Sequence, residues 1–185
     1  MRRQTPLSEE SAIISGMADA VDDEKQTLQQ FLDYQRASVL AIVAGLDEES
    51  WHKPVVPSGW TVAGFVEHLG YAERHWFQLV MRGTETELPW DEGRPDYDPH
   101  APLTCDRPSA DVVAYYREQC ERSNAVLAAT SLMAPPLGRH GGPDAEQPPN
   151  LRWIVLHMIE ETATHSGHLE IARELLDGQT GLGMR

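Results

Sequence analysis

Hydrophobic positions recur along this chain at the three- and four-residue spacing of amphipathic helices, and no convincing run of alternating β-branched residues separates them. In the first segment Leu28, Phe31, Leu32, Gln35, Val39, Ile42, Val43 and Leu46 form one stripe, which Gly45 and the cluster Asp47-Glu48-Glu49 bring to an end. Before it, residues 1–24 read as an arm or a short helix carrying Ile13, Ile14, Met17 and Val21. After a turn with Pro54, Pro57 and Gly59, Thr61 is placed to cap a second helix through Val62, Phe65, Val66, Leu69, Trp76, Leu79 and Val80, with Gly83 as its stop. A third helix starts near Ser109 and uses Val112, Tyr116, Cys120, Val126 and Leu127. The fourth starts near Asn150 with a clean stripe of Leu151, Val155, Met158, Thr162, His165, Leu169, Ala172 and Leu176, and Gly178 closes it. Between the second and third helices, Thr84 to Pro108 is rich in Pro, Asp and Glu without periodicity and reads as a long crossover loop.

These elements predict an all-α, up-and-down four-helix bundle over residues 25–178 with a long loop between helices 2 and 3, and a tail at 179–185. A chain of 185 residues suits one domain. No stretch approaches the run of about 20 apolar residues that a membrane span needs, and no apolar segment follows the two N-terminal arginines, so a cytoplasmic location is expected. The net charge of −14 disfavours nucleic acid and anionic membranes as partners and points to a small molecule. Cys105 and Cys120 are too few to staple the fold and read as free thiols.

The chemistry concentrates in the histidines. Three of the eight, His157, His165 and His168, share the fourth helix with Glu161. At roughly 100° per residue, Glu161 lies about 40°, His168 about 60° and His157 about 80° around the axis from His165, so all four share one side. A carboxylate and an imidazole at i and i+4 can chelate one ion, and that donor pair suits zinc, nickel or ferrous iron. His68, beside the apolar stripe of the second helix, is the candidate third ligand, and three protein ligands leave an open, catalytic position. Spacing alone leaves open that these are solvated or hydrogen-bonded core histidines. His52, His75, His100 and His140 read as surface or loop residues, with His100 and His140 in the two long loops that could cover a site. Trp60, Trp76 and Trp153 read as core or bundle-end packing rather than a substrate cage.

The segments PSGWTVAGFVEHLGYAERHWF and LRWIVLHMIEETATHSGHLEIARELLDG resemble the DinB-like superfamily, specifically its actinobacterial branch that includes the mycothiol-dependent enzymes. The resemblance covers roughly residues 25 to 178. It implies one metal ligand on the second helix and two, four residues apart, on the last; the matching positions are His68, Glu161 and His165, with a carboxylate in the middle as in the mycothiol-dependent maleylpyruvate isomerase. That isomerase carries a further C-terminal domain, whereas this chain is expected to end at Arg185 just after the bundle, closer to the stand-alone thiol S-transferases. The implied function is divalent-metal-dependent transfer of a low-molecular-weight thiol, mycothiol, onto an electrophilic small molecule as part of detoxification. Zinc is the first expectation for the metal, with His168 or His157 as supporting partner or proton acceptor. The alternative is a non-catalytic metal-binding or small-molecule-binding bundle associated with stress. The oligomeric state stays open, with a homodimer among the options.

Overall fold

The computed structural model describes residues 9–84, 98, 101–141 and 144–181, with the side chains of the first helix described from Asp23 onward. The readings of Ile13, Ile14, Met17, Val21 and His100 therefore fall outside the described residues or side chains. Helix α1 runs Glu9–Val43, a short α2 runs Glu48–His52, α3 runs Val62–Glu73 and continues as a π-helical segment Arg74–Met81, α4 runs Ser109–Ala129 and α5 runs Leu151–Asp177. Among the described residues no strand occurs and no helix is long and apolar enough to cross a membrane.

The ends form where the sequence predicts them. Thr61 accepts from the Gly64 N–H, Asn150 accepts from the Trp153 N–H, and Gly178 closes α5 in the left-handed conformation at φ 75°. The acidic cluster after Gly45 does more than end α1: Asp47 caps α2 by accepting from Ser50, and Trp51 is thereby driven into the core.

Four long helices build the bundle, but their senses differ from strict up-and-down alternation. Arg152 pairs with Glu24 and Arg173 donates to the carbonyls of Ile42 and Ala44, so α1 and α5 run parallel. Arg107 meets Glu67 and Gln78 meets Gln119, so α3 and α4 are parallel too. The Phe65–His165 and Trp76–Trp153 ring contacts set α3 antiparallel to α5. The order is up, down, down, up. The 21-residue α4 is roughly 30 Å long. Gly70 allows α3 and α4 to approach, because a Cβ there would sit 2.7 Å from the Tyr115 ring.

The core is layered along the bundle axis. One apolar cluster contains Leu32, Trp76, Phe77, Leu127, Ile154 and Met158, and the other contains Val39, Val66, Leu69, Tyr116, Leu169 and Ala172. Between them lie the buried polar residues Arg36, Glu73, Gln119, Ser123, Thr162 and Ser166. The π-helical segment buries Phe77 and Met81 along with Trp76 and Val80, and of these four the α-helical spacing in the sequence picks out only Trp76 and Val80. Two expectations are corrected here. His75 is buried rather than on the surface, because His140, 65 positions away, meets its Nε2 at 2.8 Å. Trp153 is 41% exposed rather than packed away, although Trp76 is core.

Candidate metal centre

His68 projects from the middle of α3, and Glu161 and His165 from successive turns of α5, on the antiparallel seam between those helices. The seam brings residues 97 apart in sequence into one cluster: the ring centroids of His68 and His165 lie 5.3 Å apart at 90°. Glu161 Oε1 is 3.2 Å from His68 Nε2 and 3.1 Å from His165 Nε2, and one donor atom from each residue lies within 4.8 Å of the others. A tetrahedral shell with bonds of about 2.1 Å has donor–donor edges of about 3.4 Å, so these nitrogens already stand at nearly the right separation from the carboxylate. The donor set fits a divalent cation.

The electrostatics agree with the geometry. Hydrogen bonds from His165 and then His68 outweigh the burial of Glu161 and hold its carboxyl far below the usual carboxylate range, so it is an anion at neutral pH. All three side chains are partly buried, with Glu161 25% exposed, leaving the cluster reachable from solvent. His165 Nδ1 is buried without a hydrogen-bond partner among the described residues, so its ring is held by the Nε2 contact to Glu161 and by packing against the Phe65 ring, 4.9 Å away at 77°.

The two histidines read as supporting groups separate. His168 is exposed, with its ring 5.5 Å from that of His165 and 6.3 Å from Trp60. His157, one turn before Glu161, stacks on Trp153 at 5.2 Å and 9° and meets Trp76 at 4.5 Å. Neither cysteine joins the cluster as a nucleophile. Burial pushes Cys105 up to about 11, and burial followed by the charge of Glu73 pushes Cys120 up to about 12, so both are free protonated thiols.

A family model described as mycothiol-S-transferase matches residues 27–178. The chain belongs to that family. The match covers α3, α4 and α5 in full, α1 from residue 27 onward, and both motifs that supply the donor cluster, and it supports a mycothiol-related transferase role. No curated protein matches in sequence. In structure the chain is similar to a conserved protein from Enterococcus faecalis, at a TM-score of 0.65 and 13% identity over 83% of this chain and 97% of that one. That likeness shows a shared helical-bundle fold.

Proposed function

We propose that the protein transfers a low-molecular-weight thiol, mycothiol by its family, onto an electrophilic small molecule, with one divalent metal ion held by His68, Glu161 and His165. One observation carries this reading: two imidazole nitrogens and a carboxylate oxygen, from two helices, converge within 4.8 Å in a chain of the mycothiol-S-transferase family. Two imidazoles and one carboxylate suit zinc first, with nickel and ferrous iron as alternatives, and three protein donors leave a position open. Bound there, the cation supplies the positive charge that favours the ionised form of a thiol whose ordinary pKa is about 8.5.

The chain's own residues then have distinct tasks. Glu161 contributes negative charge and is already oriented by His68 and His165, so little freedom remains to be lost on binding. Phe65 holds the His165 ring and shields the cluster on one side. His168 is exposed beside the cluster and is the base that accepts the thiol proton and passes it to water. The sulfur forms its bond to the electrophilic carbon, and the leaving group departs with its electron pair. A detoxifying role follows from that chemistry, since a small electrophile is converted into a thioether.

The test compares Glu161→Gln with Glu160→Gln, its exposed neighbour about 100° around the helix. Mycothiol, bacillithiol and glutathione are assayed against monochlorobimane with zinc, nickel or ferrous iron. Glu161→Gln is expected to lose at least about tenfold in metal-dependent rate, the lower bound for disturbing a metal's supporting shell, while Glu160→Gln retains its rate. Absence of any metal-dependent rate, or equal loss in both variants, overturns the transferase reading and leaves a non-catalytic binding bundle.

A further inference from the structure

We propose that the cleft beside the donor cluster, between Trp76, Trp153, His157 and His140, is the acceptor pocket and that it takes an uncharged, flat aromatic or conjugated electrophile. Calling the occupant an acceptor rests on the transferase reading; the binding of a flat ring does not. His157 stands four residues before Glu161, about 6 Å along α5, so the cleft lies one helical turn from the cluster. Its volume is about 310 Å³, at the small end of the range of about 300–1,000 Å³ for small-molecule pockets.

The walls select the class of occupant. Trp153 stacks on His157 at 9° and Trp76 stacks on His140 at 26°, and the two indoles meet at 5.6 Å and 54°. Four rings thus line one small cleft, and the indole of Trp153 is 41% exposed at its mouth. Such surfaces favour offset or edge contact with another π system. The polar groups of the cleft are largely committed to holding it open. Gln147 Oε1 accepts from the His140 N–H, Gln147 Nε2 donates to the carbonyls of His140 and Ala145, and His75 Nε2 meets His140 Nδ1. A polyhydroxylated thiol would need those same groups to replace its water, so the cleft suits the acceptor better than the thiol. Burial, followed by the charge of His157, lowers the pKa of His140, which keeps that ring neutral, and Glu146 with the net charge of −14 turns away anions.

Two variants test the pocket. Trp153→Leu removes the exposed ring while keeping apolar bulk, and Ala145→Phe fills the cleft from the loop side. With metal-loaded protein, each is expected to raise KM for monochlorobimane about threefold to tenfold, the equivalent of one lost aromatic pair. The kcat, KM for mycothiol and rate with iodoacetamide, which has no ring, should stay within about twofold. Independently of turnover, 1,3-dinitrobenzene, which lacks a leaving group, should quench tryptophan fluorescence saturably in the metal-free protein, with Kd weakened by the same factor in both variants. Saturable quenching that weakens in both variants supports the pocket even if no thiol transfer is found. Turnover of monochlorobimane with KM and Kd unchanged in both variants overturns the pocket and leaves the transferase reading standing.

Discussion

Two carboxylates lie in the middle of this bundle, and their surroundings separate a structural charge from a functional one. Glu73 is 1% exposed and accepts from Nε and Nη2 of Arg36 in a bidentate pair at 2.7 Å, while Asp33 and Asn124 accept from the remaining guanidinium nitrogen, Nη1. Burial opposes the charge on Arg36, but the charge and hydrogen bonds of Glu73 outweigh it, so the guanidinium pKa lies above its ordinary value. That site is complete without any ligand. Glu161, on the neighbouring helix, is held by two imidazoles rather than a guanidinium, remains a quarter exposed, and shares one region with a ring nitrogen from each histidine. A carboxylate paired with arginine closes on itself, whereas one shared between histidines leaves room for a cation.

The largest effect expected from breaking this contrast is in stability. Arg36→Leu leaves Glu73 buried and unpaired, and guanidinium denaturation should register a loss of about 3–5 kcal/mol. His68→Leu should lose far less, because a partly exposed imidazole is replaced by an apolar side chain beside Leu69. Equal losses would mean that the histidine cluster is structural and the comparison fails. Replacing both members of the pair, Arg36→Met with Glu73→Leu, sharpens it: the double variant should recover to within about 1 kcal/mol of the parent, since similar-sized apolar groups often match a buried ion pair. Metal content of that variant should be unchanged.

How far the sequence revealed these two regions follows from how local each is. The i, i+4 relation of Glu161 and His165 is a property of one helix, and His68 lies beside a periodic stripe, so the cluster is legible before any fold is known. The ends at Thr61, Asn150 and Gly178 are local in the same way. The Arg36–Glu73 pair is not, because two charged residues 37 apart read as solvated until α1 and α3 meet across the bundle. The same holds for Arg173, whose hydrogen bonds to Ile42 and Ala44 tie α5 to the end of α1. The parallel run of α3 and α4 was hidden because periodicity fixes which face is buried but not the sense of a helix. The burial of His75 and the open ring of Trp153 depend on a π turn and on the loop carrying His140, neither of which leaves a spacing signal.

The smallest effect concerns a charged contact outside the polar layer. Glu48 accepts from the hydroxyl and N–H of Ser109 and from His52, which together lower its carboxyl to about 2 and tie α2 to the start of α4. A carboxyl lowered on folding contributes stability above its unfolded value of 4.5, and the contribution disappears as the pH falls from there towards 2. Glu48→Gln should therefore lower Tm slightly at pH 7 and make no difference near pH 2, as followed by circular dichroism. A Tm gap that persists at the acid end would remove the carboxylate from the account.

The most direct test of the contrast is the metal content of native protein and His68→Ala after dialysis against excess zinc and then metal-free buffer, with helicity recorded on the same samples. The account predicts one ion per chain in the native protein, essentially none in His68→Ala, and near-identical helicity, because a three-donor site that loses an imidazole loses its chelate geometry while the apolar stripes remain. A native protein without a stoichiometric ion, or a His68→Ala variant that keeps its full complement, would contradict it.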